Sequence, residues 1–201
     1  MQDRYRLLAP FYSKLSRLVF GAKIEKATTC FQSKIPNKSL IIIGGGDGQH
    51  FVPIQQELSG EYWELSASML QQAQRNLSQS ELSFHLGGFG RSSNSKKYPL
   101  VFLPFVLDTL TDSEILELLE QVKYRLSPEG EVMISDFYPT KNRMQLFIQW
   151  IMIAFFRLFA HHSRVDLPDI EKLMSDAGFE LLQEMSWEKG WIKSQVFGKK
   201  P

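Results

Sequence analysis

One cysteine, Cys30, among 201 residues excludes an internal disulfide and a Cys-rich zinc site. An excess of either charge is also lacking. The 23 Lys plus Arg against 22 Asp plus Glu leave a formal charge of +1, which supplies no polyanion-steering field for sequence-independent nucleic-acid binding. With 13 Gly, 9 Pro and 43% apolar residues, the composition is that of a folded globule rather than a disordered or collagenous chain. The N-terminus begins Met1-Gln2-Asp3-Arg4-Tyr5-Arg6 with no apolar run behind the charges, so no export signal is read there and a reducing cytoplasmic setting is expected. The most apolar stretch, Met144 to Ala160, is interrupted by Gln145, Gln149 and Arg157 and falls short of the about 20 apolar residues of a membrane-spanning helix. No internal repeat is present, and the length suits one domain.

Periodicity then sets out the elements. Tyr5 to Ala27 alternates apolar and basic groups at helical spacing, punctuated by Pro10, which predicts one or two helices ahead of a sheet. Leu40-Ile41-Ile42-Ile43 is a continuous, largely β-branched run ending in glycines, the pattern of a strand buried on both faces of a parallel sheet. Further strands are expected at Tyr62 to Leu65, Leu82 to Leu86, Leu100 to Phe105 and Glu131 to Phe137, then Phe179 to Trp187 and Trp191 to Phe197 around a turn at Glu188-Lys189-Gly190. Helices are expected at Gln49 to Leu58, at Ala67 to Leu77 behind a Ser66 cap, at Glu114 to Leu126 behind Thr111 or Asp112, and at Asp166 to Ala177 ending on Gly178. Ser127-Pro128-Glu129-Gly130 reads as a helix end and turn. The alternation predicts an α/β fold, a doubly wound, Rossmann-like, seven-stranded and mostly parallel sheet whose terminal strand is antiparallel.

Gly44-Gly45-Gly46-Asp47-Gly48 follows the first strand and precedes a helical stretch, with Gln49 where a dinucleotide-binding loop would carry its last glycine. Together with Tyr62-Trp63-Glu64-Leu65-Ser66-Ala67-Ser68-Met69-Leu70, this loop resembles that of the class I S-adenosylmethionine-dependent methyltransferases. Asp3-Arg4-Tyr5 with Leu8-Ala9-Pro10-Phe11-Tyr12 is similar to the N-terminal helix of their ubiquinone/menaquinone-type branch, and Leu126 to Glu131 to the turn before the fifth strand. The resemblance spans almost the whole chain. It implies one domain over 1–201: an N-terminal helical lid (1–37), a cofactor-binding core (38–140), an inserted substrate-covering helix (141–165), and a C-terminal helix with hairpin (166–201).

What the resemblance implies for the site is specific. Gly44, Gly45, Gly46, Asp47 and Gly48 would wrap S-adenosylmethionine, and Glu64 would accept from its ribose hydroxyls. Leu65, Met69, Gly88, Phe89 and Pro104 would complete the cofactor contacts. Two positions depart from the family: Ile42 stands where an acid often precedes the first glycine, and Gly88 where an Asp frequently meets adenine. Asp136 and His161, or its neighbour His162, are the candidate bases, and no metal ligand set is expected. Tyr5, Phe11, Tyr12, Phe105, Asp108, Tyr138 and Trp150 are candidate substrate contacts. Leu103-Pro104-Phe105-Val106 lacks the Asn/Asp-Pro-Pro-aromatic motif of the enzymes that methylate exocyclic base amines, which disfavours nucleic acid. The expectation is methyl transfer to oxygen or carbon of a small lipophilic or aromatic acceptor. The alternative, resting on Ile42 and Gly88, is a binding or assembly protein that keeps the fold without turnover. The 143–162 helix needs a second apolar neighbour besides the body: substrate, a twin subunit, or peripheral contact with a membrane surface.

Overall fold

A computed structural model describes residues 22–35, 37–90, 96–160 and 166–201, with side chains of the 143–160 helix described as far as Ile153. The chain runs through α1 (Lys23–Thr29), β1 (Ser39–Ile43), a 3-10 segment (Gln49–Glu57), β2 (Ser59–Glu64), α2 (Ala67–Asn76), β3 (Glu81–Leu86), β4 (Tyr98–Pro104) and α3 (Asp112–Arg125). It continues through β5 (Leu126–Phe137), α4 (Arg143–Ala160), α5 (Ile170–Asp176), β6 (Phe179–Trp187) and β7 (Ile192–Lys199). The strands form one sheet in the order β3-β2-β1-β4-β5-β7-β6. The first five pair in parallel, and β7 pairs antiparallel with both β5 and β6.

The β-branched run of β1 does what its composition demands. Ile41 and Ile43 face a core that includes Leu119 and Val122 of α3 and Leu173 and Met174 of α5. Leu40 and Ile42 face another, with Phe51 and Ile54 of the 3-10 segment and Leu70 and Ala73 of α2. Burial on both faces fixes β1 at the middle of the sheet, so the loop that follows it opens at the sheet's carboxyl edge between helices. A smaller cluster joins Ile24 and Ala27 of α1 to Phe137, Trp191 and Ile192, with Ile148 and Met152 of α4 packed against it.

Two elements differ from the sequence reading. Gln49–Glu57 is a 3-10 helix containing Pro53, because proline removes a backbone donor and its ring crowds the carbonyl four residues back, which an α-helix cannot absorb. Helix α3 ends at Arg125, just before Ser127 to Gly130 as expected, but that segment is looped out within β5 rather than preceding it. Tyr98 pairs with Leu126 and Leu100 with Glu131, so the partner strand advances two residues while β5 advances five. The capping signals hold: Ser66 Oγ accepts from Met69 N–H, and Thr111 and Glu114 form a reciprocal capping box on α3. Thr111→Ala is expected to lower stability by about 1 kcal/mol, seen as a lower urea midpoint at unchanged slope.

Candidate functional site

The glycine loop is shaped from below by Tyr62. This side chain is fully buried on β2 and donates its hydroxyl to Gly46 O at 3.2 Å. A Cβ on Gly45 would lie 2.3 Å from the Tyr62 hydroxyl oxygen, so any side chain there collides with the ring. Gly46 is different: it has φ +65 and, among the described residues, a Cβ would meet nothing within 4 Å. The loop therefore turns a left-handed, open backbone position toward the carboxyl edge of the sheet, where a ligand can approach closely. Gly44 and Gly48 also have positive φ. Burial, and then the carboxylates of Glu64 and Asp47, push the Tyr62 hydroxyl well above its ordinary pKa, which keeps it a neutral donor beneath the loop.

Glu64 closes β2 and ties two backbones together. Its Oε2 accepts from Gly46 N–H at 3.0 Å and its Oε1 from Ser66 N–H at 2.9 Å. The side chain is only 8% exposed, whereas a strand-end acid reads from sequence as partly solvated. The carboxylate is thus fixed at the carboxyl end of β2, directly beside the glycine loop. Asp47 is committed to the turn: its Oδ1 accepts from Gln49 N–H at 3.1 Å, and its carbonyl accepts from Asn76 at 2.9 Å. That is turn chemistry.

Beside the loop lies an apolar shelf. Leu65 and Leu86 are 62% and 58% exposed, next to Gly87, where a Cβ would meet nothing within 4 Å, and Gly88, where it would meet only Leu65 Cδ2 at 3.9 Å. Leu86, which pairs with Glu64 in the β2–β3 register, was not singled out from the sequence; an exposed leucine ending an edge strand was the available signal. Phe89 does not join the shelf. It is buried in the α3-side core, edge-on to Trp63 at 5.6 Å, because its apolar ring finds more contact there than at the open edge. Met69 is 3% exposed in the first turn of α2, where its N–H is capped by Ser66, and Pro104 ends β4 in the sheet interior opposite Ser135.

The carboxyl ends of β4 and β5 form the other side. Phe105 has φ +52, a strained value for a residue with a Cβ. Its N–H donates to Ser135 O at 2.6 Å and its ring lies 5.3 Å from that of Phe137. Asp136 is fully buried, and its oxygens accept from Leu107 N–H at 3.0 Å, Asp108 N–H at 3.4 Å and Phe137 N–H at 2.8 Å. Those bonds fasten the Leu107–Thr109 turn to β5, so the Asp136 carboxylate has a structural task. Burial, then the adjacent Asp108 charge, push the Asp136 carboxyl well above its usual range, and the three N–H bonds oppose that only in part. Because the folded-state value is raised, the associated stability is present at acid pH and lost as pH rises through that value. Asp136→Asn should flatten this dependence, read as the slope of Tm against pH between acid and neutral.

Tyr138, a candidate substrate contact, sits within the core. It is 5% exposed and its hydroxyl donates to Gln195 Oε1 on β7, since a buried phenol must place its proton on a partner. Trp150 is 66% exposed on the outer side of α4, stacked on Phe147 at 6.4 Å between ring centroids, away from the side that packs on the body through Ile148 and Met152. Tyr5, Phe11, Tyr12, His161 and His162, with most of the expected lid, lie outside the described residues. Among the described residues no group of His, Cys, Asp and Glu could hold a metal ion.

No curated protein matches the sequence. Solved structures share its fold. The mitomycin 7-O-methyltransferase MmcR has TM-score 0.72 at 13% identity, over 98% of this chain and 61% of that one, so this chain spans about three fifths of MmcR. DhpI, solved as its SAH complex, has TM-score 0.74 at 13% identity, over 98% of this chain and 94% of that one. Magnesium protoporphyrin IX methyltransferase (ChlM) of Synechocystis, also with bound SAH, has TM-score 0.67 at 16% identity, over 98% and 94%. Residues 14–184 match the family described as "Methyltransferase domain", and with most of its length inside that match the chain belongs to this methyltransferase family.

Proposed function

We propose that the protein transfers a methyl group from S-adenosylmethionine to an oxygen or carbon atom of a small lipophilic or aromatic acceptor, in the manner of the ubiquinone/menaquinone-type branch. The observation that carries this reading is the open backbone at Gly46, held in place by Glu64 and flanked by the Leu65/Leu86 shelf. These residues fit the cofactor. Glu64, at the carboxyl end of β2 beside the loop, would accept from the ribose hydroxyls, the loop's open edge would take the methionine part, and the bare Gly87-Gly88 backbone beside two leucines would take a flat, apolar-faced base without the usual acid. Bound there, S-adenosylmethionine supplies an electrophilic sulfonium methyl.

The chain's own share of the work is orientation and exclusion of water. Phe105, strained at the end of β4, packs with Phe137, Trp191, Ile148 and Met152 in an apolar cluster, and we place the lipophilic acceptor at its margin, where apolar surroundings offer little to a charged molecule. Asp108, half-buried on the turn that Asp136 fastens, is the carboxylate we place to hold the proton of a hydroxyl acceptor. Titration calorimetry with S-adenosylmethionine, followed by transfer of labelled methyl to a panel of phenols and quinols, tests the assignment. Saturable binding and labelled product are expected, and no detectable binding at millimolar cofactor would overturn it. The reading without turnover draws on buried Ile42 and bare Gly88; binding with no labelled product from any acceptor would favour it.

A further inference from the structure

Helix α4 is mounted inside out. Its polar side chains turn toward the protein: Gln145 is 7% exposed, accepts from Thr140 Oγ1 at 2.5 Å and donates to Glu188 O at 3.0 Å, and Gln149 is half-buried one turn later. Its large apolar residues turn outward. Met144, Phe147 and Trp150 are more than 60% exposed, and Leu146 and Ile151 more than 40%. A helix facing only water would place these groups the other way round, since burying glutamine and exposing tryptophan both cost free energy. Among the described residues, the outer face of α4 is thus an exposed apolar patch of the kind that calls for a partner.

Charge identifies which partner. From residue 137 to 165 the chain holds no Asp or Glu, while Lys141, Arg143, Arg157 and Arg164 are all cationic. Lys141 and Arg143 are exposed at the start of the helix, next to Met144. A second copy docked face to face about a two-fold axis would set this basic rim against its own image, with no acid in the segment to neutralise it. A bilayer carrying anionic lipids supplies both halves of the complement: an apolar phase at shallow depth for Phe147, Trp150 and Ile151, and negative headgroups for Lys141 and Arg143. No helix among the described residues is long and apolar enough to cross a membrane, so such a helix would lie in the interface plane. We propose that α4 docks the protein on an anionic membrane surface through the Met144, Phe147, Trp150 and Ile151 face. The proposal does not depend on the acceptor, although a bilayer is where a lipophilic acceptor would be met.

Vesicle co-sedimentation tests it, with phosphatidylcholine alone and with phosphatidylcholine containing phosphatidylglycerol. Binding to the anionic vesicles is expected, weakened by salt, with a blue shift of tryptophan emission that Trp150→Phe removes. Phe147→Glu with Ile151→Glu should reduce partitioning by at least roughly tenfold, as should, to a smaller extent, Lys141→Glu with Arg143→Glu. Cofactor binding and Tm in solution should be unchanged in all of them, because these side chains are exposed among the described residues. Absence of binding to anionic vesicles, or equal binding to neutral ones, would overturn the proposal. So would a dimer in sedimentation equilibrium that Phe147→Glu with Ile151→Glu converts to monomer, which would give the face to a second copy. Loss of methyl transfer in a protein that still sediments with vesicles would count against the proposed chemistry and leave the docking intact.

Discussion

Glu61→Ala should destabilise the fold by about 3–5 kcal/mol, the cost of removing one partner of a buried ion pair. Glu61 lies on β2 and Arg125 at the end of α3, with side chains 8% and 0% exposed and an N–O distance of 2.8 Å. The pair is the centre of a network. Glu61 Oε1 also accepts from the Tyr98 hydroxyl at 2.8 Å, and Oε2 accepts from Trp63 Nε1 at 2.9 Å. Arg125 Nε donates to Lys96 O at 3.0 Å, and the guanidinium lies 5.5 Å from the centre of the Tyr98 ring. Truncating Glu61 thus strands three donors at once, one of them charged. Truncating Arg125 leaves Glu61 with two donors, so Arg125→Met should cost less despite the larger side chain. Urea unfolding of both variants decides this: an Arg125→Met loss equal to or above that of Glu61→Ala would mean the guanidinium contributes mainly by packing.

The same network has a pH signature. Burial works to raise the Glu61 carboxyl, but hydrogen bonds from Trp63, Tyr98 and Arg125, with the Arg125 charge, bring it below its ordinary value. A depressed folded-state value gives stability that is present above the unfolded carboxylate pKa and lost as pH falls through the folded one. Tyr98 is pushed up to about 12, chiefly by burial and then by its bond to Glu61, so its share is lost only under strong alkali. Wild type should therefore lose stability in acid more steeply than Glu61→Gln, which keeps an acceptor oxygen and carries no charge.

Local signals carried most of the fold. The run at Leu40 to Ile43 announced a central strand because β-branched residues in unbroken sequence require burial on both sides. Ser66 and Thr111 announced helix starts because caps act over three or four residues. What stayed hidden was set by long-range partners. Glu61 and Arg125 are 64 positions apart, and a lone Glu in a strand or Arg in a helix reads as a surface charge until both are known to share a core. Likewise, nothing local says that Asp136 meets the backbone 28 and 29 residues earlier, so an acid at a strand end looks solvated when it is buried and tied to a distant turn. In α4, the narrow stripe of Gln145 and Gln149 was visible, but its direction depends on Thr140 and on the Glu188 carbonyl, which α4 meets only in the folded chain.

Glu64→Ala should weaken S-adenosylmethionine binding roughly ten- to hundredfold, the equivalent of about 1.5–3 kcal/mol for a lost hydrogen bond to a charged group. In the cofactor reading proposed above, this carboxylate does two things. It faces the ribose, and through Gly46 N–H at 3.0 Å and Ser66 N–H at 2.9 Å it holds the loop and the start of α2 in register. With the side chain only 8% exposed, its truncation leaves two backbone donors short of a partner, and Tm without ligand should fall as well, by an amount corresponding to about 1–3 kcal/mol. That fall separates this residue from an exposed strand-end acid, whose loss would leave the unliganded protein unchanged. The two roles can be told apart with a deoxyribose analogue of the cofactor. If Glu64 meets the sugar, wild type should prefer the natural cofactor over the analogue and Glu64→Ala should not, because the hydroxyls have lost their acceptor. If the carboxylate only shapes the loop, both ligands should weaken by the same factor. Since Gly88 offers no acid toward the adenine side, little else in this part of the site can compensate, and unchanged affinity in Glu64→Ala would place the ribose elsewhere on the sheet edge.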